Sequence, residues 1–367
     1  MSWIALSDLA NPTFNIRGIG APRNGPCGRV PMASHDLVPR GTFVVEFDVD
    51  AQPDKPQTVL QFRRAFEWLR ELRLTLDAAG HIALDIRQGG TRSRATICIA
   101  PPARGSCLRL SYSWNAPIRV GRLTVEEVRD GRIFQSDIRK PVPIPAADIK
   151  AITRNGRATQ ISKSVRCIAF SNEIEPVGFG NGIVSGTLVE TAQGSVPVEK
   201  LRLGDMVVTA TSGLQPVRWI GRRTVPALGS LRPVRLHAPY FGLIEDVLLA
   251  PAHRLRLGVV GTDDMAGEDD GPLPAGRLVD GRRARAESRS RLATYHQVLL
   301  DVHDYLLLDG LWAESLFVGT IARHPELLRS TVLAEMPVSA VPVHRPFSRP
   351  CLTKAETQTL VAALAAG

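Results

Sequence analysis

The pair Asn181-Gly182 needs no partner to react, because an Asn side chain followed by Gly can cyclise onto its own carbonyl or deamidate in a slow spontaneous reaction. Thiols are the stronger nucleophiles, and the chain has five, at positions 27, 98, 107, 167 and 351. An odd number with no Cys-x-x-Cys spacing argues against a metal ribbon or a complete disulfide framework and for free thiols in a reducing compartment. Cys98 and Cys107 flank a Pro-Pro-Ala-Arg-Gly turn and can be bonded only if their geometry suits. Cys167 lies in the apolar run Val165-Arg166-Cys167-Ile168-Ala169-Phe170 and reads as a core residue. His253, taken alone, reads as a structural histidine bonded at a strand end, and Tyr295, Asp301 and His303 read as a polar strand edge. Asp48, Asp50 and Asp54 cluster near one turn without the glycine-centred spacing of a calcium loop. Trp68 and Trp114 are the aromatic candidates for a sugar platform; two-residue apolar spacing around Trp114 puts it in a core.

The elements that must position these residues are strands. Thr187, Val189 and Thr191 alternate with Leu188 and Glu190 before Gln193-Gly194 turns the chain into a second strand at Val196 and Val198. Leu201, Gly204 and Asp205 make a tight corner, and Met206-Val207-Val208-Thr209 follows as a third strand. Upstream, 42–49, 72–77, 81–86, 108–114 and 121–126 alternate or concentrate β-branched and aromatic residues between Gly, Pro and Asn punctuation, the pattern of an antiparallel sandwich. Thr353 with Glu356 three residues later opens a short carboxyl-terminal helix.

The segment from Gly182 to Thr209 resembles the opening block of the Hint domain, the module of inteins, Hedgehog autoprocessing domains and many bacterial proteins. Gly213 to Arg223, Arg232 to Leu236, Leu248 to Leu255 and Tyr295 to Ser315 resemble its later blocks in the same order. The resemblance covers roughly 180 to 325 and implies that a catalytic cysteine should stand at 182, making Asn181-Gly182 the scissile bond. Gly182 stands there instead, and a hydrogen atom cannot attack a carbonyl. The family's Thr-x-x-His block is Ala250-Pro251-Ala252-His253, so the histidine that would protonate the departing amide remains while the polarising threonine does not. Asp301 and His303 align with positions that assist transfer in some relatives, and inteins end in His-Asn where this chain has Glu314-Ser315. Ser185, three residues late, would attack at Val184 and require the histidine to be displaced.

These residues imply a degenerate autoprocessing module in a structural or interaction role, with His253, Asp301 and His303 as a vestigial site. The alternatives are self-cleavage near Asn181-Gly182 and glycan binding through the amino-terminal part. That part resembles a concanavalin-like or laminin-G-like jelly roll on Leu72 to Ile82 and Arg109 to Trp114. The expected fold is all-β: a sandwich over 1–177, a Hint-type domain over 178–330, and a Pro-rich tail with its helix over 331–367. No cofactor or metal is expected. Partners are a glycan or a protein at the sandwich. The net charge of +9 is scattered and not interleaved with aromatics, which disfavours a specific nucleic-acid surface. Arg277 to Arg291 after the acidic stretch 263–270 reads as an exposed charged insertion. Neither a membrane span nor a secretory signal is inferred, so the default location is cytoplasmic, with leaderless secretion as the alternative.

Overall fold

Alternation of apolar and polar residues is realised as antiparallel pairing throughout the computed structural model, which describes residues 3–20, 36–50, 55–257, 271–347, 350–353 and 355–360. They form two units, 1–178 and 179–367. The all-β expectation holds, with no helix long and apolar enough to cross a membrane among the described residues.

In the first unit, a seven-stranded sheet runs in the order Ile133–Arg139, Val120–Glu127, Cys107–Asn115, Arg40–Asp48, Val165–Ser171, Trp3–Ser7, Thr13–Phe14. A five-stranded sheet runs Thr159–Ile161, Gln57–Arg64, Arg70–Leu76, His81–Gln88, Thr91–Cys98. The strand Arg70–Leu76 shows why they form a core: Leu72, Leu74 and Leu76 are buried while Arg73 between them is exposed. These leucines join Phe43, Phe47, Leu110, Tyr112 and Trp114 in one cluster. Trp114 is fully buried, donates its indole N–H to the Val38 carbonyl at 2.9 Å, and lies opposite Gly41, whose missing side chain leaves room for the indole. A helix at Ala146–Ile152, which strand patterning does not announce, follows Pro145 without any side-chain cap and buries Ile149 and Ile152 in the same core. Cys98, Cys107, Cys167 and Cys351 are all free.

The second unit has two sheets. One runs Trp219–Pro226, Leu292–Leu299, Ile183–Val184, Val247–Leu249, Val234–Leu236, Ala284–Ala286, so the two-residue strand after Gly182 sits in the middle. The other runs Gly194–Pro197, Leu188–Thr191, Met206–Thr209, Tyr305–Leu308, Leu311–Glu314, Arg254–Arg256, Leu273–Pro274, with Gly213–Pro216 also on Met206–Thr209. Val189, Val207, Leu249, Leu255, Val298 and Leu306 fill the space between. Part of the basic run is not an insertion: Ala284–Ala286 is an edge strand on Val234–Leu236, and charged side chains on an edge oppose further pairing. The acidic stretch 263–270 lies outside the described residues. Near the carboxyl end, Thr353 and Glu356 cap residues 355–360 reciprocally.

Candidate functional site

Both ends of the Asn181-Gly182 peptide group are held. The Gly182 amide donates to His253 Nδ1 at 3.1 Å, and the Asn181 carbonyl accepts from Gln297 Nε2 at 3.0 Å. The backbone delivers these partners. Ile183 pairs with Leu249 on one side and His296 on the other, the Ala250 amide donates to the Gly182 carbonyl at 2.9 Å, and the turn from Ala250 to His253 closes with a 2.9 Å backbone bond. That turn aims the imidazole back at Gly182. On the facing strand, period-two alternation puts Tyr295 and Gln297 on the side of the peptide and His296 on the other.

Position 182 has no room for a nucleophile. A Cβ built there would lie 2.6 Å from Tyr295 Cβ and 3.1 Å from its ring carbon Cγ. Tyr295 is fixed from its far end, its hydroxyl donating to the Leu231 carbonyl at 2.9 Å. Ala250 is wholly buried with Tyr295, Val225, Leu231 and Ala293, so a threonine there would bury a hydroxyl among apolar side chains. The two departures from the family pattern therefore meet in one packed cluster. Replacing Gly182 with Cys is expected to cost about 1–3 kcal/mol in equilibrium unfolding, because the new side chain must displace Tyr295 or the main chain. An unchanged unfolding midpoint would show that the space is open.

His253 is 2% exposed, and burial holds its pKa down to about 4 against the opposing pull of the Glu314 carboxylate. With Nδ1 accepting from Gly182, the neutral ring carries its proton on Nε2, which is buried without a partner. The folded pKa lies below the 6.5 of a free histidine, so the stability contributed by the neutral ring is present above pH 6.5 and lost as pH falls toward 4. The loss is on the order of 3 kcal/mol. Urea unfolding at pH 7 and pH 4 is expected to show a smaller acid loss in His253→Gln than in the native chain; parallel pH curves would contradict this.

The remaining sequence candidates separate. His303 Nε2 lies 3.0 Å from Glu314 Oε1, in an aromatic cluster where its ring meets Phe317 and Phe347 at a tilt, with ring separations of 4.7 and 4.1 Å. Glu314 also reaches Arg254 at 3.3 Å, and its charge acts on His253 through space without a hydrogen bond between them. Asp301 is half-exposed and paired with Arg218 at 2.6 Å, a surface bridge. Ser185 Oγ lies 2.9 Å from His296 Nε2, not on His253, in a turn that Glu199 ties by accepting the Gly186 amide. Cys167 is buried in the first unit, where burial pushes its thiol up and leaves it unreactive. Gln297 escapes sequence reasoning because a glutamine inside an apolar strand carries no spacing signal, and Tyr295, read there as part of a polar strand edge, is instead buried against Gly182; only their two-residue separation on the strand could point to a shared face.

Among the described residues no group of three or more His, Cys, Asp or Glu side chains is placed to hold a metal ion. What the arrangement can do is grip one peptide bond, polarising its carbonyl through Gln297 and engaging its nitrogen through His253. Position 182 itself supplies no side-chain atom to attack the carbon.

No curated protein matches the chain. Among solved structures it is similar to the Ruminococcus gnavus IT-sialidase CBM40 bound to alpha2,3 sialyllactose, at 12% identity and TM-score 0.28, covering 36% of this chain and 76% of that one. It is also similar to the NanB sialidase from Streptococcus pneumoniae, at 15% identity and TM-score 0.28 over 49% of this chain and 30% of that one. A third is tailspike protein 2 of an Escherichia coli O157:H7 bacteriophage, at 14% identity and TM-score 0.25 over 38% and 18%. At these scores none of them bears on function. The family model described as the Hint domain matches residues 182–320, the span that begins at Gly182 and takes in His253, Gln297 and Glu314. Residues 182–320 of this chain are a Hint domain.

Proposed function

We propose that this Hint domain is a self-processing fold without its nucleophilic step, retained as a folded structural or interaction module. The observation that carries the reading is the packing of Tyr295 against Gly182, which closes the place where an attacking side chain would sit. Loss of a nucleophile that acts as a unit with its partners costs on the order of 10⁶ in rate. The intrinsic Asn181 route is opposed by the same site. Cyclisation needs a proton for the departing Gly182 nitrogen, and His253, kept neutral by burial, offers that nitrogen a lone pair instead. Incubating the native chain with hydroxylamine at pH 7 tests the reading, since an acyl intermediate at Asn181 would be captured as a hydroxamate. None is expected beyond what the urea-unfolded chain forms through spontaneous Asn-Gly chemistry; a hydroxamate at Asn181 formed faster in the native chain, and lost in His253→Ala, would sink the proposal.

A second reading concerns the first unit alone, as a sugar-binding module. The specific observation favouring it is Trp68, 46% exposed beside a cavity, whereas Trp114 is spent on the core. Trp68→Ala is the variant that would separate a binding platform from a surface residue.

A further inference from the structure

The cavity beside Trp68 has a volume of about 530 Å³, enough for one or two sugar rings, and its polar wall is unbalanced in charge. Arg119 and Lys140 line it together with Gln88 and Thr91, and no carboxylate does among the described residues. Neither cation has an ion-pair partner among the described residues, in contrast to Arg70 nearby. That guanidinium lies 4.9 Å from the Trp68 ring centroid and 3.3 Å from Asp148, buttressing the indole with its charge already engaged.

The two free cations are placed by an unusual backbone. Arg119 and Lys140 have φ of 59° and 57°, the left-handed region that non-glycine residues seldom occupy, and the Lys140 amide donates to the Arg119 carbonyl at 3.0 Å. They therefore sit side by side where the strands Val120–Glu127 and Ile133–Arg139 meet their loops. Backbone in this region is strained and is retained where the surrounding structure dictates it, commonly at ligand sites. Glu67, preceding Trp68, is the third such residue at this end, at φ 62°. An exposed aromatic face, two unpaired cations and two neutral hydrogen-bonding side chains, Gln88 and Thr91, thus converge on one opening.

We propose that this cavity binds a sugar bearing a carboxylate, the pyranose ring lying on Trp68 and the carboxylate meeting Arg119 and Lys140. The inference rests on reading the first unit as sugar-binding and adds the charge of the ligand. Stacking on an indole accepts any pyranose with an apolar face; the paired cations are what select an acid. Because Arg119 and Lys140 are exposed, the attraction is screened by salt.

The test is a calorimetric or NMR titration of the full chain with glucuronic acid and N-acetylneuraminic acid, and with glucose as the neutral counterpart of the first. At least one acid should bind at least 10-fold more tightly than glucose, with affinity falling between 0.05 and 0.5 M salt, values on the order of those that span the screening range. In R119Q/K140Q the acid should lose that advantage, and in Trp68→Ala all sugar binding should be lost. Both variants alter exposed side chains, so unchanged unfolding curves serve as the folding control. Glucose binding as tightly as the acids would overturn the acidic specificity and leave sugar binding standing. No binding of any of the three would overturn both, and acid binding untouched in R119Q/K140Q would remove the site from this cavity.

Discussion

Replacing Arg109 with alanine is expected to destabilise the first unit by about 3–5 kcal/mol, since it leaves two carboxylates buried without their shared cation. Arg109 lies on a central strand of the seven-stranded sheet, in register with Glu46 on one neighbour and Glu126 on the other. Its guanidinium is 3.3 Å from Glu46 and 3.6 Å from Glu126, and the three residues are 4%, 1% and 6% exposed. The row crosses three strands inside the protein, where solvent screening is weak. At roughly 2–4 °C per kcal/mol for a unit of this size, the melting temperature should fall by about 10 °C. Replacing all three with apolar residues of similar volume should recover most of that loss, because the penalty belongs to carboxylates buried without the Arg109 charge, Glu46 keeping Arg166 at 3.9 Å and Glu126 the Gly178 amide at 3.2 Å, and not to the absence of the bridge. A shift of under 2 °C, read as roughly the response to a surface change, would mean that water reaches the row.

The second large effect is expected at Asp304, which sits beside the sequence candidates but serves a different end. Its fully buried carboxylate accepts the Thr211 hydroxyl at 2.8 Å and the backbone amides of Ser212 and Tyr305 at 2.9 and 2.8 Å, with a longer bond from the Thr211 amide. Asp304→Ala strips several buried donors at once, at about 1–3 kcal/mol for each that finds no water, so a loss of about 3 kcal/mol or more is expected in urea unfolding. Asp301, three residues earlier, offers the contrast. Its bridge to Arg218 lies in solvent, and Asp301→Ala should leave the urea midpoint close to that of the native chain. Equal losses in the two variants would refute this division of labour.

The same contrast explains what a sequence can and cannot disclose about this site. The strands are legible wherever one face is buried and the other wet, as at Leu72, Leu74 and Leu76, because burial imposes period two on the residue types themselves. The hairpin of Leu188–Thr191 and Gly194–Pro197 is legible through its turn glycine, which adopts φ 104°. The helix Ala146–Ile152 is not, since it is under two full turns long, starts after a proline, and has no capping side chain. His253 is legible through the block that contains it. Its neutral state is not, because that follows from burial produced by the fold. Asp301 and His303 look equivalent in the strand-edge pattern, yet two residues apart they end in solvent and in an aromatic cluster. Gly182 reads as a missing nucleophile from sequence; that Tyr295 occupies the vacated volume is a property of two strands brought together from opposite ends of the domain.

The Hint domain grips Asn181-Gly182 at both ends, and the proposed loss of the nucleophilic step requires that bond to stay whole. The direct measurement is the intact mass of the purified full chain, followed for days at pH 7 with and without an added thiol. A single species at 39.9 kDa, unchanged by thiol, is the predicted result. Two fragments meeting between Asn181 and Gly182, and absent in His253→Ala, would contradict it.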